Sequence, residues 1–184
     1  WRNAHDELIM QSLDTSVIEN IKIVNAKYFH EKSGSSIELN YKIYGNGILK
    51  IKQTLYPSGA ENPELPRFGM KVSINETFDN LEWFGRGPHE SYWDRKTSAK
   101  IDRYKGKVID QTYKYVRPQE TGNKTDIRWL ALYNGSIGLM IKGLPVFDGS
   151  VHHYDYALLD YYKESQRHGK IDIIKGNQID LIVD

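Results

Sequence analysis

The sequence holds no cysteine. Disulfide bridges and thiolate metal sites are thereby excluded, and the redox character of the compartment leaves no mark on the chain. Long apolar runs are missing too: none approaches the roughly 20 residues that a helix needs to cross a bilayer. There is no excess of charge of one sign, since 25 basic residues stand against 24 acidic ones and leave a formal charge of +1. That balance gives no reason to expect nucleic acid or a membrane as partner. A leader-peptide pattern is absent, and the chain opens on Trp1-Arg2 without methionine, which reads as the start of an excised fragment. The expectation is a soluble protein, with cytoplasm and periplasm both left open.

What is present fits one packed domain over residues 1–184. The 39% hydrophobic and 27% charged content suits a folded globular chain of 184 residues rather than a disordered one. Aromatic residues are the one skew, with 13 Tyr, 4 Trp and 5 Phe. Aromatics favour pleated, half-buried surfaces, so they read first as β core. Their flat faces also suit the apolar side of a sugar ring.

Hydrophobic periodicity predicts an all-β chain. Ile37, Leu39, Tyr41 and Ile43 alternate with Glu38, Asn40 and Lys42, the period of a half-buried strand. Gly45-Asn46-Gly47 supplies a turn, and Leu49, Ile51 and Leu55 return as the second arm of a hairpin. Met70, Val72 and Ile74 mark a further strand, and Leu81 to Phe84 another, stopped by Gly85. Ile127 to Tyr133 is apolar on both faces, which places it inside the fold. Asn134-Gly135-Ser136 turns the chain back into Ile137 to Ile141. Ile171 to Ile174 and Ile179 to Val183 flank Lys175-Gly176-Asn177 as a last hairpin. Two stretches carry a helical pattern: Asp6 to Asn20 is expected to begin with a short helix, with Asp6 as its N-cap, and Ala157 to His168 to form one short helix. Short strands with Gly/Asn turns favour a two-sheet antiparallel sandwich over a βαβ fold.

Candidate chemistry concentrates in Gly85 to Arg95. Gly85 and Gly87 read as backbone devices with Pro88 fixing a turn, because the run lacks the third glycine and the helix of a dinucleotide loop. A pair of carboxyl groups held close together can act as general acid and as base or nucleophile. Glu90, Asp94 and Glu120 are the carboxylates at hand. They read more simply as structural: Glu90 accepting backbone N–H groups, Asp94 paired with Arg95 or Arg86. His152-His153 followed by Asp155 invites a metal, but neighbours on a strand point to opposite faces. One histidine is expected to be partly buried and hydrogen-bonded, and the other exposed. His89 and His168 stand singly in loops.

Several blocks, in order, resemble the C-terminal β-sandwich of bacterial β-galactosidases of glycoside hydrolase family 2. Trp1-Arg2 followed by Asp6 is similar to the segment that opens that domain. Leu65-Pro66-Arg67-Phe68-Gly69-Met70 resembles its Leu-Pro-Arg-x-Gly strand start. Trp83-Phe84-Gly85-Arg86-Gly87-Pro88-His89-Glu90-Ser91-Tyr92, then Asp94-Arg95, resembles its Trp-x-Gly-x-Gly-Pro-x-Glu-x-Tyr block. Tyr115-Val116-Arg117-Pro118-Gln119-Glu120-Thr121-Gly122-Asn123 is similar to its Tyr-Val-x-Pro-Gln-Glu-x-Gly loop. The resemblance implies a galactose-mutarotase-like supersandwich. It implies a parent enzyme that cleaves terminal β-galactosides through two glutamates of a separate barrel domain. The family's glycine-rich segment with its nearby Trp would follow Leu181-Ile182-Val183-Asp184, so the domain is expected to be truncated at its C-terminal end.

On that reading this chain carries no catalytic residue and no metal or cofactor, while the parent uses Mg²⁺ and Na⁺ held elsewhere. Its partners are the barrel and other domains of the parent, itself a homo-oligomer, and galactoside is met only through the parent. Trp93, Tyr92 and Glu90 are the candidates for sugar contact. The alternatives are a free-standing carbohydrate-binding module, reading sugar through Trp93, Tyr92 or Tyr154, and a mutarotase using His89 with Glu90 as acid and base.

Overall fold

A computed structural model describes residues 4–59, 62–116, 119–155, 158–159 and 175–184. The chain forms two compact units, Trp1–Phe68 and Gly69–Asp184, each with its own antiparallel sheet. The expected all-β class with two antiparallel sheets is what the structure shows. No helix among the described residues is long and apolar enough to cross a membrane.

The first unit is a four-stranded meander of β1 (Leu8–Ile18), β2 (Ile21–His30), β3 (Ser35–Ile43) and β4 (Leu49–Tyr56), in that spatial order. The predicted hairpin is β3–β4, with Tyr41 opposite Ile51 and Ile37 opposite Leu55. Gly47 closes its turn with φ +86, a left-handed conformation that glycine adopts without cost. Asp6 to Asn20 is not helical. Leu13, Thr15 and Val17 lie opposite Ala26, Val24 and Lys22, and a register shift between Met10 and Ser12 hides the alternation from a simple count. β-branched Ile, Thr and Val favour the strand. Ala26 is this unit's one fully buried apolar side chain among the described residues.

The second unit carries a six-stranded sheet. Its strands are β5 (Met70–Asn75), β6 (Asn80–Gly87), β7 (Lys100–Lys107), β8 (Lys124–Tyr133), β9 (Gly138–His152) and β10 (Gln178–Val183). The spatial order is β5-β10-β9-β8-β6-β7. Among the described residues, Leu81, Trp83, Val108, Ile127, Leu130, Leu132, Phe147, Val151, Ile179 and Leu181 form its core. β8 lies in the interior of the sheet, as its two apolar faces require.

β6 does not stop at Gly85 but runs through Gly87. Neither Gly85 nor Gly87 has a positive φ. Both are needed for room: a Cβ on Gly85 would sit 2.9 Å from Ile127 Cα, and one on Gly87 would sit 2.8 Å from the Tyr104 ring. β10 pairs with β5 and β9. Its expected hairpin partner, Ile171 to Ile174, lies outside the described residues. So does most of the expected helix from Ala157, of which Leu158 and Leu159 are helical.

Candidate functional site

Two loops meet at the β6 and β8 ends of the second sheet: residues 88–99, which join β6 to β7, and the segment before β8, described over residues 112–116 and 119–123. Ser91 laces them together. Its N–H donates to Asn123 O at 2.8 Å, its carbonyl accepts from Asn123 Nδ2 at 2.9 Å, and its hydroxyl accepts from Thr125 N–H at 3.0 Å. Arg86 holds the first loop from below. It donates to Lys96 O at 3.1 Å and Ala99 O at 2.9 Å, and its Nε pairs with Asp126 at 2.5 Å. Asp126 stands at φ +55 beside two register shifts between β8 and β9, a conformation rare outside glycine.

Glu90 sits at the centre of the lacing. Oε1 accepts from Arg95 Nη2 at 2.9 Å and from the Tyr115 hydroxyl, while Oε2 accepts from Gly122 N–H at 2.8 Å and Thr121 Oγ1 at 3.1 Å. Burial pushes the Glu90 carboxyl up. The bonds from Tyr115, Gly122 and Thr121 and the Arg95 charge outweigh this and hold it below the ordinary glutamate range. Lys124 lies behind it, 3% exposed, donating to Gly122 O at 3.1 Å with its ammonium 5.2 Å from the Trp83 ring centre. Burial pushes this amine down to about 8, against the pull of the Glu90 carboxylate.

These contacts place the residues singled out in the sequence. Glu90 accepts a backbone N–H as expected, but Asp94 is not the partner of either arginine: Arg95 goes to Glu90 and Arg86 to Asp126. Tyr92 is half-buried beneath the Arg95 guanidinium, 4.6 Å from its ring centre. Trp93 is 83% exposed, with Lys96 Nζ 4.4 Å from its ring centre. Tyr154, named as an exposed sugar platform, is buried against His152, and burial pushes its hydroxyl up to about 12.

Both adjacent histidines are buried, not one. His152 Nδ1 lies 3.4 Å from Thr112 Oγ1, and His153, just past the end of β9, has Nε2 3.0 Å from Asp79. His89 meets Ser98 at 3.0 Å, and His168 lies outside the described residues. Among the described residues no three His, Asp or Glu side chains converge as a metal site. Sequence reasoning missed Lys124 and Asp126. Nothing in an alternating pattern marks a lysine as buried or an aspartate as left-handed.

The family model described as "Beta galactosidase small chain" matches residues 1–173. The chain belongs to the β-galactosidase small-chain family. A β-galactosidase of Priestia megaterium is 40% identical over 163 residues, covering 88% of this chain and 16% of the relative. One from Halalkalibacterium halodurans is 29% identical over 119 residues, covering 64% and 12%. One from Arthrobacter sp. is 30% identical over 149 residues, covering 79% and 15%. The chain thus spans 16% or less of the length of these relatives. Against this small-chain family, the Glu90 brace falls within the region matched.

Proposed function

We propose that this chain is a non-catalytic domain of a β-galactosidase that hydrolyses terminal β-D-galactosides. It supports the catalytic barrel and the mouth of the active site. The observation that carries this reading is the state of Glu90. A retaining glycosidase needs one carboxyl group that keeps its proton near neutrality and a second, free to attack. Glu90 is held ionised, and both its oxygens are occupied by partners. The small share of each relative that the chain matches supports placing the catalytic pair elsewhere. The parent's Mg²⁺ and Na⁺, its homo-oligomeric state and the mutarotase-like type of the β-sandwich belong to the same proposal.

The test is hydrolysis of a chromogenic β-galactoside by this chain alone and by the chain joined to its catalytic portion. Activity in the joined form alone is expected. Turnover by the isolated chain would overturn the reading, and Glu90, Asp94 and Glu120 would then be mutated in turn. A sugar-binding module is the second reading, favoured by the exposed indole of Trp93. It requires galactose to change the Trp93 fluorescence of the isolated chain.

A further inference from the structure

The two laced loops present an unusual surface. Tyr92 N–H donates to Arg95 O at 3.2 Å and Arg95 N–H returns to Tyr92 O at 3.0 Å, closing a tight turn with Trp93 and Asp94 at its tip. The Arg95 guanidinium covers Tyr92 and donates to the Tyr115 hydroxyl at 3.2 Å. Tyr115 in turn meets Tyr113 edge-on, with ring centres 4.6 Å apart. Trp93, Tyr113 and Val116 are 83%, 63% and 77% exposed. A chain of contacts therefore runs from Tyr92 through Arg95 and Tyr115 to Tyr113, with Trp93 and Val116 beside it in sequence, and Glu90 holds Arg95 and Tyr115 from within.

Large apolar groups on mobile loops are a poor binding surface, because ordering them costs conformational entropy at the moment of binding. Here Tyr92, Arg95, Tyr113 and Tyr115 are already held by contacts with one another and with Glu90. Tryptophan, tyrosine and arginine are also the residue types that dominate protein interface hot spots. A sugar platform would need free polar side chains beside the ring to read hydroxyl groups. Glu90 and Arg95 are paired with each other in the brace, Lys96 lies over the Trp93 ring, and Asp94 is exposed. That composition suits a protein partner better than a sugar.

We propose that the Tyr92–Arg95 turn and the Tyr113–Val116 segment form a docking face for the catalytic portion of the β-galactosidase, with Trp93 as the anchor that enters an apolar hollow there. The inference rests on the function proposed above and names the surface that would perform it. Relatives that extend over at least six times the matched length supply the polypeptide to be docked.

Hydroxyl-radical footprinting of Trp93 in the assembled enzyme, beside the isolated chain, tests it. Oxidation of Trp93 should slow by about ten-fold or more on assembly, as expected of a desolvated anchor. Trp93→Ala should weaken assembly by about 30-fold, and Trp93→Phe by less. Circular dichroism of the isolated variants separates this from misfolding. An assembled enzyme that hydrolyses galactoside while Trp93 oxidises as fast as in the free chain overturns the docking face and leaves the family function standing. An assembled enzyme without hydrolysis overturns both. Protection of Trp93 in the isolated chain by galactose, or by raising the chain's own concentration, also overturns the docking face, in favour of a sugar platform or a second copy.

Discussion

Glu90 and Lys124 are neighbours with opposite effects on stability. Glu90 gathers charge-assisted bonds, which are worth more than neutral ones but are weakened where solvent reaches Arg95. Glu90→Gln keeps the shape and removes the charge, and should cost about 2 kcal/mol at pH 7 in a urea melt. Because the folded carboxyl titrates below its ordinary value, its contribution is present above about pH 4.3 and is lost as the pH falls through the lower folded value. The gap between wild type and Glu90→Gln should therefore narrow in acid. Lys124 runs the other way. Its amine titrates at about 8 when folded and near the ordinary lysine value when unfolded, so the charged form opposes folding. Between those values the unfolded chain binds more protons, and stability rises with pH. From pH 7.5 to 10, wild type should gain about 2 kcal/mol relative to Lys124→Met. An unchanged difference would mean that Lys124 is not desolvated as the structure has it.

Gly122 shows how the loop depends on one element end. It stands at φ +74, and a Cβ there would meet Gln111 O at 2.3 Å and His152 Cε1 at 3.0 Å. Gly122→Ala should cost about 3 kcal/mol from left-handed strain plus backbone collision. It should also raise the accessibility of Tyr115 to iodination by loosening the bond to Glu90. The sequence block around Gly122 was visible beforehand, but its reason was not, since the collision involves Gln111 and His152, distant in the chain. The same division runs through the elements. The β3–β4 hairpin was legible because Ile37 to Ile43 and Leu49 to Leu55 keep a clean period of two. β1 was misread because a bulge breaks its period. β2 and β7 passed unnoticed. In β7 the residues Lys100-Ile101-Asp102-Arg103-Tyr104-Lys105 are mostly polar, and edge position rather than patterning makes them a strand. Trp93 was recognised as a candidate, whereas the brace beneath it needed the meeting of two loops that only the fold supplies.

At the scale of the whole molecule, the two units differ in what they bury. The first sheet has Ala26 as its one fully buried apolar side chain among the described residues, while the second has a ten-residue core including Trp83. Apolar burial is the main term opposing chain entropy, so local stability should follow it. Hydrogen exchange is expected to be faster in β2 and β3 than in β8 and β9, with unfolding in urea beginning in the first unit. Equal protection in both sheets would contradict this. β10 adds a consequence in time. Among the described residues it is the one sheet neighbour of β5, and Ser73 of β5 meets Asp180 of β10 across 107 residues of chain. A ribosome adds about 5–20 residues per second, so β5 waits roughly 5–20 s after emerging before its pairing strand exists. During that interval Met70, Val72 and Ile74 line an open seam, and the nascent chain is a client for whatever in the cell shields unfinished sheets.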